Sequence, residues 1–496
     1  MPHVVVFALA VAEGVRPVVG AAPFDVLARQ LPRLLTAQLN GAGDRGARYF
    51  PFVGPVAGKR AFLPLRELLP PEQLAAVHRQ PDVQLLVDGL LGQQTLFVRL
   101  LDAERAAVVR ELELPFDPRD PLAVLPRLEF EVGDRLGWDH RPKPVDAPSG
   151  EALGWWLIVK DTVLAAEAGL VDLQGDALRP GLRLMELAPE SALAQDAVLD
   201  LAVQAARRSR TSASVCALLH VLTAHLDADP DRLERHAAIA QSVGLEDDAA
   251  TSLARAARHA ADRPELAERA AALLYRLERY TELAALIQAL RVHGRASATA
   301  LAQLAAVADR FGDRTTRDEL TDELLACGNL PLPVARLVVS FLLEAERAAE
   351  ARVVAERALA ATPDHGMLQF ELGRACLLLG DDAAAAAALR RALELGVAAV
   401  VQGQAKRLHR LAATPGLWAG SRAVEDALAA GQLAAALQAA HDLAKRVGRV
   451  PETLYLLGLV RHKLGQPRRA ERLLRRAVVA DESFADAHNR LGILLV

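Results

Sequence analysis

From residue 230 to about 400 the chain repeats itself every 34 residues. Units placed at 230, 264, 298, 332 and 366 carry equivalent residue types at equivalent positions. The eighth position holds Ala237, Ala271, Ala305, Val339 and Gly373; the twentieth holds Ala249, Leu283, Arg317, Ala351 and Ala385; the twenty-seventh holds Ala256, Leu290, Leu324, Ala358 and Ala392. The fifteenth is Gly244, Glu278, Gly312, Glu346 and Gly380, a turn at which glycine ends a first helix in the left-handed conformation. Small residues thus recur where two helices must approach closely. A hairpin of this size cannot bury its apolar face alone, so the period demands a stack of hairpins.

A second register starts at 417, 451 and 485, with Gly431 and Gly465 at the turn, Gly458 and Gly492 at position 8, and Ala436 and Ala470 at position 20. The 51 residues from 366 to 417 amount to one unit and half of another, which predicts one extra helix over 400–416. The block 196–229 fits the first register more weakly, with its turn at Arg207-Arg208-Ser209-Arg210. The units resemble the tetratricopeptide repeat, most closely at Leu372-Gly373 with Ala385 and Ala392, Leu457-Gly458 with Ala470 and Ala477, Leu491-Gly492, and Pro363. That resemblance implies a right-handed superhelical solenoid. Its concave groove would be lined by positions 2, 5, 9, 12 and 13 of each first helix, here Met367, Phe370, Arg374, Trp418, Tyr455, His462, Lys463, Asp486 and Asn489. The Lys and Asn positions with which some such domains clamp a C-terminal carboxylate are Tyr455 and Leu459, so that mode is not expected.

Before residue 138 the apolar residues come instead in short β-rich runs, at 4–11, 47–53, 83–90, 95–101 and 107–114, with helical patterns at 24–39, 70–80 and 121–137. Helices between the early strands imply parallel crossovers, and the short turns between the last three imply an antiparallel meander. The expected fold is a small mixed-sheet α/β domain followed by the all-α solenoid. The stretch LLVDGLL, TLFVRLLDAERAAVVRELELPFD and PLAVLPRLEFEVGDRLGW resembles the TolB N-terminal-like and FlgO-like domains. Those are found on bacterial cyclases, transcriptional regulators and tetratricopeptide tails, and the resemblance carries over no catalytic residue. Asp88 and Asp102 read as turn formers. The predicted organisation is a mixed α/β domain at 1–138, a Pro-rich linker at 139–150 that joins the parts flexibly, connecting helices at 151–195, repeats at 196–399, the extra helix at 400–416, and repeats at 417–496 ending on a lone first helix.

Chemistry is sparse. GPVAGKR at 54–60 has three residues between its glycines where a phosphate-binding loop needs four, Arg60 where Ser or Thr would follow the lysine, and Pro55 in place of an amide donor; it reads as a surface turn. His220 and His225 are five apart and off a common helical face. Asp247-Asp248 and Asp381-Asp382 read as helix caps. Neither a cofactor nor a metal is called for, and the chain is read as no enzyme. Cys216, Cys327 and Cys376 are odd in number, far apart and in apolar runs, which points to a reducing cytoplasm. The apolar stretch near the start lacks a positive n-region and is too short to span a bilayer.

What remains is surface. Aromatic residues are only 4% of the chain, yet Phe370, Trp418 and Tyr455 fall on the inner face, either as interface anchors or as packing for the interior and the extra helix. From Lys445 to Arg476 ten basic side chains face two acidic ones, although the whole chain carries a net charge of −4. Arg468, Arg472 and Arg475 form a stripe on the convex side, either a solvated face or a contact for an acidic protein or, less readily, nucleic acid. The apolar end, Ile493 to Val496, either folds back or presents a patch for self-association. The function expected is a non-enzymatic protein-interaction scaffold that binds through the solenoid groove. The alternative is a regulatory or sensor subunit whose N-terminal domain binds a small ligand that the repeats relay to a partner.

Overall fold

The computed structural model describes residues 3–41, 46–77, 82–138, 142, 144–208, 213–260 and 262–495. It divides into two compact units, 1–278 and 279–496.

The first unit opens with the mixed sheet. Its strands are β1 (Val4–Phe7), β2 (Ala10–Val11), β3 (Ala47–Phe50), β6 (Leu85–Leu91), β7 (Thr95–Asp102) and β8 (Ala107–Pro115), with a separate hairpin of β4 (Val53–Val56) and β5 (Lys59–Phe62). The order is β3-β1-β6-β7-β8, with β2 continuing along β6. β1 runs parallel to β3 and β6, and β6, β7 and β8 form the antiparallel meander. Every residue of β1 is buried, as befits a central strand covered on both faces. On one face Val5, Phe7, Leu86 and Leu101 pack with Leu74, and Phe7 stacks on Phe52 at 5.5 Å. The run at 4–11 is not one strand. Its pairing breaks at Ala8 and Leu9, whose amides donate to Phe50 O and to Ala28 O of the helix Phe24–Asn40.

GPVAGKR forms β4, a two-residue turn and the start of β5. Ala57 (φ 50°) and Gly58 (φ 77°) are both left-handed, as a type I′ turn requires. Gly54 pairs with Ala61 and Val56 with Lys59, so the segment is a ladder and no anion cradle.

Part of the 139–150 linker, at 139–141 and 143, lies outside the described residues. The helix after this linker, Glu151–Glu167, is docked rather than flexibly joined, which corrects the expectation. It lies against Phe24–Asn40, where Arg29 grips Asp161 with two bonds of 2.8 and 2.6 Å and Arg33 donates to Lys160 O. Gly154 permits the approach: a Cβ there would sit 3.2 Å from the Ala22 nitrogen. The helix Ala192–Arg208 runs through the first half of the predicted Arg207–Arg210 turn, and 209–210 lie outside the described residues.

The periodic part folds as its spacing dictates. Helices begin at Pro230 and Pro264 in the first unit and at Ala298, Leu332 and Gly366 in the second, then at Leu417, Pro451 and Ala485. Gly373 and Gly458 are close-packing positions, since a Cβ would fall 2.4 Å from Leu389 and 2.9 Å from Leu474 on the second helix of the same hairpin. Asp381 caps its helix by accepting from the Ala384 amide at 3.1 Å. Asp247 and Asp248 sit instead in the first turn after Leu245, where carboxylates still favour the helix dipole. Among the described residues, twenty α-helices lie beyond residue 150 and no strand does. None of the helices among the described residues is long and apolar enough to cross a membrane.

Candidate partner-binding surfaces

The helix Ala399–Ala413 fills the register break and lies along the inner face of the hairpins C-terminal to it. Arg407 pairs with Asp486 and stands over the rings of Phe484, at 4.8 Å, and Tyr455, at 5.9 Å. Arg410 pairs with Glu452 and Asp481. Gly403 faces Ser483, whose carbonyl oxygen would be 2.8 Å from an added Cβ. Leu408 packs among Leu417, Val424, Leu456 and Tyr455.

This placement decides the predicted groove residues. Phe370 is a core residue, 2% exposed, and the expectation that it lines an accessible groove is corrected. Its neighbours include Ala405 and Ala412 of the inner helix. Trp418 is half-buried against the same cluster, with the Arg422 guanidinium 6.0 Å from its ring. Tyr455 is half-buried, its ring 5.1 Å from that of Phe484. The inner helix thus occupies the space beside Tyr455 and Asp486 through Arg407. Met367 and Arg374 are half-buried beside Phe370, with Arg374 5.9 Å from the ring. Between them Glu371 is buried; desolvation pushes its carboxyl up to about 7 although Arg336 and Arg374 oppose the shift. His462 is half-buried, and Lys463 and Asn489 are exposed, Asn489 one turn beyond Asp486.

On the opposite side the second helices bound an open groove of about 610 Å³. One bank carries His441 and Lys445 of the helix Leu433–Val447, with Arg449 just beyond it; the other carries Arg469, Arg472 and Arg476 of Pro467–Ala480. Leu454, Leu457 and Arg461, from Pro451–Lys463 between them, join Leu473 as the floor. The cationic row facing this groove is 469, 472 and 476, which shares Arg472 with the expected stripe at Arg468, Arg472 and Arg475. Of those three only Arg472 lines it, while Arg475 is paired with Glu471 at 2.7 Å. Arg461 bonds to Gln466, and Lys445 lies 3.7 Å from Asp442. Among the described residues Arg449, Arg472 and Arg476 have no carboxylate partner.

At the end of the array, Ile493 and Leu495 are 53% and 58% exposed, and Val496 lies outside the described residues.

No family model and no curated protein matches the chain. Solved structures similar to parts of it are helical-repeat proteins. A tetratricopeptide repeat protein from Parabacteroides merdae is 12% identical over 54% of this chain and 99% of its own, with a TM-score of 0.30. Yeast Tom70 is 15% identical over 64% and 62%, at 0.29. The human IFIT1 dimer with m7Gppp-AAAA is 15% identical over 73% and 95%, at 0.25.

Proposed function

We propose that the chain is a non-enzymatic protein-interaction scaffold whose helical array docks protein partners. The observation that carries this reading is the groove at 441–476, where, among the described residues, Arg449, Arg472 and Arg476 have no carboxylate partner and stand beside the half-buried Leu473. Cations held over apolar surface are a sound docking surface, because arginine supplies planar, weakly hydrated donors and leucine supplies area to bury. The inner face of the last hairpins serves a structural role, being filled by the chain's own helix.

The test is affinity purification with the full chain beside a variant carrying Arg472→Glu and Arg476→Glu. Proteins retained by the parent and lost from the variant support docking at this groove. Identical sets from both, or a saturable thermal shift with nucleotides that the variant abolishes, would overturn it.

A further inference from the structure

The groove's chemistry narrows what enters it, and the inference rests on the scaffold reading above. We infer that the occupant is an acidic protein segment in which Asp or Glu side chains flank a large aliphatic one, the aliphatic group seated on the half-buried Leu473 and the carboxylates held by the two banks.

Three observations point there. The cations stand in two opposed rows, Lys445 and Arg449 on one side and Arg469, Arg472 and Arg476 on the other. Arg469, Arg472 and Arg476 succeed one another at i, i+3 and i+7, which aligns them along one face of their helix. A ligand lying along the groove meets positive charge on both flanks, so its own negative charge belongs on both edges of an apolar stripe. Arginine's fork takes two parallel bonds to a carboxylate, as it does to a phosphate.

The floor is the second observation. A simple anion would satisfy the arginines yet leave the half-buried Leu473 facing water, Leu454 and Leu457 beneath it being buried already. A segment with an aliphatic side chain covers it, and each large apolar group removed from water on both partners adds to the affinity.

The third observation argues against nucleic acid. Single-stranded nucleic acid is held by base stacking on aromatic rings as well as by charge, and the lining of this groove contains neither Phe, Tyr nor Trp.

The experiment is selection of a random twelve-residue peptide display library on the full chain, followed by binding measurements with the enriched peptides. Two variants separate the groove from general electrostatics. Arg472→Glu with Arg476→Glu reverses charge inside it; Arg468→Glu with Arg475→Glu makes the same change on the same helix outside it. The expected result is enrichment of peptides with acidic residues around Leu, Ile or Met. Their affinity should fall roughly 30-fold or more in the groove variant, less than about threefold in the control, and weaken as salt rises. Enriched peptides without an acidic excess, or acidic ones equally weakened by both variants, overturn the acidic-segment assignment while leaving the scaffold reading standing. If no peptide is enriched and a single-stranded oligonucleotide binds the parent but not the groove variant, both readings fall. Circular dichroism of the two variants confirms that each retains the parent's helix content.

Discussion

Arg410 donates from Nε to the Glu452 carboxylate at 2.9 Å, a tie between residues 42 positions apart. Glu452 is 2% exposed, and its second oxygen has no hydrogen-bond partner among the described residues. Removing the guanidinium therefore strands a buried charge. Arg410→Met is expected to cost about 3 kcal/mol in urea unfolding, and adding Glu452→Leu should recover most of that loss. A single variant as stable as the parent would show that the pair holds nothing together.

The inner aromatics should behave as core. Phe370→Ala should destabilise the second unit by roughly 3–5 kcal/mol, and Tyr455→Ala by a smaller amount. Neither should change the affinity of a groove-bound peptide once the folded fraction is accounted for. Calorimetry beside titration distinguishes this from a partner-binding role, in which affinity would fall at unchanged stability.

Glu371 makes one contribution to stability depend on pH. Its folded value, about 7, lies above its unfolded value of 4.5, so the folded state binds the proton more tightly. The site's contribution is fully present below pH 4.5 and is lost as pH rises through 7. Glu371→Gln mimics the protonated form. Its advantage over the parent should be about 2–3 kcal/mol greater at pH 8 than at pH 5, read from denaturation midpoints. An equal effect at both values would refute the assignment.

Glu346 occupies the turn position that Gly312 and Gly380 fill in neighbouring units, and it does so at φ 60°. A left-handed non-glycine residue costs roughly 1–2 kcal/mol, part of which glycine's unfolded-state freedom offsets. Glu346→Gly should stabilise the array by about 0.5–1 kcal/mol. A lower unfolding midpoint in the variant would mean that contacts of the glutamate outweigh its backbone strain.

The hairpins were legible because their geometry is written locally: the small residue at position 8, the left-handed turn at 15 and the fixed period each act within one unit. The sheet was legible for a related reason, since crossover helices force parallel pairing and short turns force antiparallel pairing. What covers the inner face was not. The helix Ala399–Ala413 has no period of its own, and its contacts with Asp481 and Asp486 lie 71 and 79 residues away, beyond any local pattern. Helical spacing alone likewise did not choose between the rows 468-472-475 and 469-472-476. One signal was present: Glu471, four residues before Arg475, marks that arginine as neutralised. The β4–β5 hairpin was masked by Pro55 inside a strand and by alanine at a position that glycine or asparagine usually fills.

A linear array ordinarily melts from its ends inward, each terminal hairpin fraying at the cost of a single interface. Here the last hairpins share a spindle. With Arg407 held to Asp486 and Arg410 to both Glu452 and Asp481, the hairpin at Pro451 and the helix at Ala485 cannot peel away without also uncovering residues laid down before Leu417. The stretch from 399 to 495 should thus open as one cooperative block, with amide protection nearly level along it where an unbraced array would show a gradient falling toward its end.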